Sequence, residues 1–258
     1  IVSTISACAT GLSSLLTGAM FIALNRADVV ICGAVDCALV EPITAGFYTM
    51  NGIFHHKDGQ DEGSPAEASR PFSVHRRGFV LSEGAAALIL CSREFAKNHG
   101  LSYTAELAGW GMSSDAHHAV LPFAPTIEQC MRDALVDAGI QPEDVAAINA
   151  HATATRAGDR AEYDALRKVF GGSLPPVCAN KSLTGHAMGA SSAIETVLTL
   201  KGMEASLLPP TINYKPDPEM ELDCVADISR PLEQEFVLKN SFGFGGCNAC
   251  AVFRRCSS

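Results

Sequence analysis

The 258-residue chain has little charge and few aromatic rings. Only 18% of its residues are Asp, Glu, Lys or Arg, 7% are aromatic, and there is one tryptophan. Basic residues are outnumbered, 19 against 28, for a net charge of −9. That balance excludes the dense basic face on which sequence-independent nucleic-acid binding depends, and it disfavours anionic membrane surfaces. Long apolar runs are absent too. The longest, such as Gly84 to Cys91, falls far short of the about 20 residues that span a bilayer. The N-terminus lacks the basic start and unbroken apolar core of a secretory signal, since Ser3, Thr4 and Ser6 interrupt it. Initiating methionine is also missing: the chain begins at Ile1, the expected mark of processing or of a piece of something longer.

What is present argues for a folded core. Hydrophobic residues make up 47% of the chain, enough apolar surface to offset the entropy of ordering it. Ten cysteines in a chain with no export signal read as reduced, mostly core thiols, and the expected location is the cytoplasm or an organellar stroma or matrix.

The pattern is α/β. Strands are predicted at Ile1–Ser6, Val29–Ala34, Phe79–Cys91 (buried on both faces), Tyr103–Met112, Val145–Ala150, Val177–Asn180, Phe236–Asn240 and Cys247–Phe253. Helices are predicted at Ala9–Asn25, Pro125–Gly139, Gly158–Phe170 and Ala190–Met203. Residues 51–78, with Asp58, Gly59, Asp61, Glu62, Gly63 and Pro65, read as a long surface excursion. The later half repeats strand and helix regularly while the earlier part holds only the end of such a pattern, about one and a half units.

Three places carry chemistry. Cys8 lies between a predicted strand and a helix N-terminus, whose unpaired N–H groups and dipole favour thiolate, the nucleophilic form. His151, in HATAT, and His186, in NKSLTGHAMGAS, sit at strand-to-helix junctions after consecutive strands of one predicted sheet and are expected near each other. Two imidazole N–H donors aimed at one oxygen would stabilise an oxyanion or enolate. Lys181 would anchor a carboxylate or bias histidine protonation. Singly, a cysteine or histidine in such a place is more often structural. Together with the glycine-rich NSFGFGGCN at 240–248, able to offer a main-chain N–H beside Phe242 and Phe244, they form a candidate site.

Other candidates carry less. Cys247 and Cys250 have CxxC spacing, but in a strand they face opposite ways and no second pair accompanies them, so no metal site is expected. His55–His56 and His117–His118 read as solvated pairs. Arg76 and Arg77 are surface ion-pair residues by default, and the best local candidates for an acidic partner.

SACATG, ASRPFSVHRRGFVLSEGA, GMSSDAHH, INAHATAT, AGDRAE, NKSLTGHAMGAS, PPTIN and NSFGFGGCNA occur in the order and spacing of the β-ketoacyl synthases. The chain resembles the elongating type II enzyme of dissociated fatty-acid synthesis over nearly all its length. The resemblance implies a thiolase-like layered αβαβα fold, with residues 1–101 an incomplete N-terminal half and 102–258 a complete C-terminal half. It implies decarboxylating condensation of a Cys8-bound acyl group with a malonyl thioester held by His151 and His186. Lys181 would set the electrostatics around His186, with Glu195 as structural support behind it. Phe244 would be a mobile gate, and the Cys8 and Phe244 N–H groups an oxyanion hole. Thr153 and Thr155, with Phe242, would line the substrate tunnel. No cofactor is implied beyond the phosphopantetheine of an acyl carrier protein, the expected partner, and the full-length enzyme would be a homodimer. A polyketide ketosynthase or a non-catalytic thiolase-fold scaffold are the alternatives. The sequence departs from the family's HGTST at Ala152 and Ala154, where a methyl at 152 would narrow the tunnel or constrain the backbone, and from GFGGTN at Cys247.

Overall fold

The computed structural model describes residues 1–55 and 63–256; His56, Asp58, Gly59, Asp61 and Glu62 of the predicted excursion lie outside them. Residues 1–6 are irregular rather than a strand. Ile1 and Ile5 are exposed, and among the described residues no neighbouring strand pairs with their backbone. A short 3-10 turn, Ala7–Ala9, leads into α1 (Thr10–Ala23), followed by β1 (Val29–Asp36) and α2 (Glu41–Thr49). β2 covers only Gly84–Cys91 and pairs antiparallel with β1, after which α3 (Arg93–Asn98) closes the first part. β2 is not buried on both faces. Its residues alternate, with Ala85, Ala87 and Ile89 pointing outward, because α1 and a later helix cover only the other side.

The second part begins with β3 (Ala105–Ser114), α4 (Ala124–Ala138), β4 (Val145–Asn149), α5 (Arg156–Phe170) and β5 (Val177–Cys178). It continues through α6 (Lys181–Thr184), α7 (Met188–Ala205), the two-residue strands β6 (Leu207–Leu208) and β7 (Arg230–Pro231), then β8 (Phe236–Gly243) and β9 (Cys247–Arg255). The main sheet has the order β3-β9-β8-β4-β5, parallel where β4 meets β5 and β8 and antiparallel elsewhere. Helices α2, α3 and α6 were not legible as periodic segments. None exceeds nine residues, too short for a 3.6-residue stripe to stand out.

Alternation along the main sheet divides the core in two. Ile148, Val177, Leu238, Cys250 and Val252 face α4 and α5; Ala147, Cys178, Val237, Ala249 and Ala251 face α1. α1 and α7 pack against each other between the main sheet and the β1–β2 pair, giving four layers, α-β-α-β. The outer face of β1–β2, with Ile31 and Ile89, is exposed.

The α1–α7 contact places the first part on the second. A Cβ on Gly11 would lie 2.5 Å from the Ala193 backbone nitrogen, so the helices touch through their main chains. Beside it the N–H of Leu12, left unpaired in the first turn of α1, donates to Ser192 Oγ on α7 at 2.9 Å. Gly11→Ala is therefore expected to destabilise the fold by about 1–3 kcal/mol through overpacking. The check is urea denaturation, in which the midpoint should fall and the slope should stay constant.

Candidate active site

Cys8 sits on a sharp turn that the rest of the chain holds in place. Ala7 has φ +48°, a left-handed conformation that costs energy for a residue with a Cβ. The Ser6 N–H donates to Thr10 Oγ1 at 3.0 Å, and Ser241 Oγ on β8 donates to the Cys8 carbonyl at 3.2 Å. Gly243 closes the other side. A Cβ there would meet the Ser6 carbonyl at 2.4 Å, so the turn needs glycine beneath it. The glycine-rich turn after β8 also brings the Phe244 N–H onto the Cys8 sulfur.

His186 lies in the gap between α6 and α7, and the segment after Phe79 fixes it. Instead of continuing β2, residues 80–82 bridge to His186: its N–H donates to the Val80 carbonyl at 2.7 Å, and the Ser82 N–H to its own carbonyl at 3.1 Å. The ring is thereby placed with Nε2 3.2 Å from Cys8 Sγ and Nδ1 2.9 Å from Ser191 Oγ. His151 follows β4. Its N–H and that of Ala152 donate to the two oxygens of Glu162 on α5, at 2.9 and 2.8 Å. The two imidazole centroids are 5.8 Å apart, as their shared place at the sheet's carboxyl end predicted.

Lys181 acts on His186 through its charge and on His151 by direct contact. Its ammonium contacts His151, donating to the carbonyl at 2.5 Å and lying 3.4 Å from Nδ1, rather than touching His186. It pairs with Glu195 at 2.5 Å, and the same carboxylate takes Lys239 at 2.6 Å. All three are buried. An ammonium facing Nδ1 makes that nitrogen an acceptor, leaving Nε2–H of His151 as the donor.

Burial decides the charge states. Both histidines are held well below their usual range, first by desolvation and then by the Lys181 charge, so they are neutral at pH 7. Cys8 is pushed up to about 11 by burial, which outweighs the opposing Lys181 charge and the N–H groups of Phe244 and Cys8 itself. The expectation of a resting thiolate at the helix N-terminus is thus corrected. The turn does point N–H groups at the sulfur, but desolvation is the larger effect. The resting pair is a thiol beside a neutral imidazole.

A cavity of about 690 Å³ opens onto these groups, with Cys8, His151 and His186 at its floor and Thr153, Thr155 and Phe244 in its wall. Thr153 and Thr155 bond each other at 2.9 Å, and Thr155 also caps α5 through the Gly158 N–H. Phe242 stands edge-on to His151, with ring centroids 5.6 Å apart, and Phe244 leans toward Phe47. Ala152 is buried in the core on the α4–α5 side and does not line the cavity, so its methyl does not narrow a tunnel. Arg76 is buried and paired with Asp217 at 2.6 Å, which removes it as a docking residue. Arg77 lines the cavity over the Phe54 ring. His117 stacks on Phe123, and His118 Nδ1 accepts two backbone N–H groups. Among the described residues no cluster could hold a metal, and no helix is long and apolar enough to cross a membrane.

Sequence reasoning missed Lys239, Glu162 and Ser191. A lysine alone in the apolar run FVLKNSFG was a signal for the first, because a buried ammonium demands a carboxylate. Glu162 lay inside the AGDRAE motif without a role. With a resting thiol above the usual cysteine range, the rate of iodoacetamide alkylation at Cys8 should still be climbing past pH 9, with no plateau between pH 8 and 9. Mass-spectrometric kinetics of Cys8 modification across pH 6–10 checks this.

Comparison with known proteins agrees with the geometry. A model of the β-ketoacyl synthase N-terminal domain matches residues 1–96, and one of the β-ketoacyl synthase C-terminal domain matches 104–215. The chain is 40% identical over 259 aligned residues to 3-oxoacyl-[acyl-carrier-protein] synthase 2 of Coxiella burnetii, covering 98% of this chain and 61% of that protein. With the enzyme of the same name from Mycobacterium tuberculosis the identity is 38%, covering 99% and 61%. The chain thus spans about 61% of the length of these relatives. Among solved structures, a β-ketoacyl synthase from Burkholderia phymatum superposes with a TM-score of 0.91 at 35% identity, covering 100% of this chain and 62% of that one. A type II polyketide ketosynthase in complex with its acyl-carrier protein gives a TM-score of 0.93 at 35% identity, covering 100% and 64%. The layered fold is the thiolase-like one, and with its cysteine and two histidines converging in one cavity the chain belongs to the β-ketoacyl synthase family.

Proposed function

We propose that this chain carries the condensing centre of a 3-oxoacyl-[acyl-carrier-protein] synthase, joining a Cys8-bound acyl group to a malonyl unit with loss of carbon dioxide. The observation that carries the reading is the 3.2 Å contact of Cys8 Sγ with His186 Nε2, with His151 across the same cavity.

The reaction divides into two halves. First the thiol proton passes to His186 Nε2 and the sulfur attacks the acyl carbonyl of a carrier thioester. The carrier's thiolate leaves and takes up that proton, while the developing oxyanion lies between the N–H groups of Cys8 and Phe244. In the second half the malonyl carboxylate breaks away as carbon dioxide. Its electron pair delocalises onto the thioester oxygen, which accepts from the imidazoles of His151 and His186. The carbanion then attacks the Cys8 acyl carbonyl, and the cysteine sulfur departs as thiolate and takes a proton from water, the one proton the overall condensation consumes. Decarboxylation supplies the carbanion at neutral pH, where no strong base exists. Neutral imidazoles suit this step because they donate hydrogen bonds without offering a proton acidic enough to quench the carbanion.

Phe244, on the glycine-rich turn, serves as the gate between the two substrates, and Thr153 and Thr155 line the path of the pantetheine arm. Glu195 supports Lys181 from behind. No cofactor is required apart from the phosphopantetheine of the carrier, and the partner is an acyl carrier protein. The carrier-bound ketosynthase among the similar structures supports that partner. The full-length enzyme is a homodimer working in the cytoplasm or an organellar matrix. Curated relatives named as 3-oxoacyl synthases, at 38–40% identity, favour fatty-acid elongation over polyketide assembly.

Incubating the protein with acyl- and malonyl-carrier protein should release carbon dioxide and form a 3-oxoacyl product, both read by mass spectrometry. Cys8→Ala should abolish condensation; undiminished product from it would defeat the reading. His151→Ala should slow decarboxylation on the order of 10²–10³-fold, the usual cost of one oxyanion donor, while leaving Cys8 open to alkylation.

A further inference from the structure

We infer that Ser191 is a positioning residue for His186, holding its Nδ1 so that Nε2 meets the Cys8 sulfur. The inference rests on the reading of Cys8 and His186 as a reacting pair. Ser191 lies in the first turn of α7, buried, with Oγ 2.9 Å from His186 Nδ1. Its neighbours on the helix show that this placement is not the default for a helical hydroxyl. Thr196 and Thr199 donate to the carbonyls of Ser192 and Glu195 four residues back, the common local bond. Ser192 accepts the Leu12 N–H instead. Ser191 directs its hydroxyl to the imidazole.

The hydroxyl's chemistry suits both demands on the ring, because it can donate or accept. With the proton on Nδ1, Ser191 Oγ accepts it and Nε2 offers its lone pair to the Cys8 S–H. When the thiol proton moves to Nε2, the ring becomes imidazolium and Nδ1–H still donates to Ser191. The sulfur–acyl bond forms, the carrier's sulfur–acyl bond breaks, and the departing thiolate removes the Nε2 proton, returning the neutral ring. In the other tautomer, with Nε2–H facing a malonyl carbonyl oxygen, the hydroxyl donates to Nδ1. A carboxylate in this place would favour only the first arrangement, and an alanine would support neither. The charged and titratable groups around the pair are His151, Lys181 and, acting on the sulfur from the end of β1, Asp36.

The test compares Ser191→Ala and Ser191→Thr with the wild-type protein as the cell makes it. Three quantities are measured: the rate of Cys8 alkylation by iodoacetamide from pH 6 to 10, the melting temperature, and carbon dioxide release from malonyl-carrier protein. Ser191→Ala should slow alkylation at pH 7 on the order of 10-fold, the weight of one hydrogen bond to a reacting group, and move the pH profile upward. Its kcat for decarboxylation should fall with KM unchanged, and its melting temperature should stay within a few degrees. Ser191→Thr, which keeps the hydroxyl, should return the alkylation rate to within about threefold of wild type. Wild-type alkylation in Ser191→Ala overturns the inference, as does a loss that Ser191→Thr fails to recover. Alkylation needs no substrate, so the two readings separate. If it behaves as stated while the protein releases no carbon dioxide, the Ser191 assignment stands and the condensation reading falls.

Discussion

One carboxylate holds two buried lysines of this molecule together beside the cavity. Glu195 of α7 faces two ammonium groups, Lys181 at 2.5 Å and Lys239 at 2.6 Å, in a place none of the three shares with water. Two unpaired lysines there would be untenable; removing one partner of a buried pair commonly costs about 3–5 kcal/mol. The arrangement also fastens three elements. Lys239 belongs to β8, Lys181 to α6 and Glu195 to α7, so the charges tie the helix behind the site to the sheet in front. Lys181 gives another hydrogen bond to the His151 carbonyl. The placement of His151 thus hangs from a charge cluster that lies outside the lining of the cavity.

The same dryness sets the chemistry. Desolvation raises Cys8 and lowers both histidines, and the Lys181 charge adds to the histidine effect while opposing the cysteine effect. A thiol and two neutral imidazoles are the outcome. Such a centre is quiet at rest. It acquires a nucleophile only when the imidazole 3.2 Å away takes the thiol proton. Strain contributes as well. Ala7 in a left-handed conformation and Gly243 pressed against Ser6 show that the turn is held by packing rather than by local preference.

The larger secondary elements were legible because their signals are local. The stripe Ile127, Met131, Leu135, Ala138 marked α4, and short apolar runs marked β1, β4 and β8. Ile1–Ser6 and the stretch before Gly84 misled for one reason: an apolar β-rich segment reads as a strand whether or not a neighbour exists to pair with it. The first has no partner strand among the described residues. In the second, Val80 and Ser82 direct their backbone groups to His186 instead. Arg76 illustrates the reverse error. A polar neighbourhood suggested a surface arginine, but Asp217, 141 residues away in sequence, supplies the charge that lets it be buried.

By itself the sequence determined which residues meet. His151 and His186 follow consecutive strands of the main sheet, and the α/β pattern sends such positions to its carboxyl end, where Cys8, just before α1, joins them. What it left open was their state and their supports. The protonation of Cys8 depends on how much water the fold removes, and no local pattern around it records that. The contacts of Lys181, Lys239 and Ser191 are set by which helix face lies over which strand. Tertiary structure decided both, because desolvation and buried pairing are sums over neighbours that are distant in the chain.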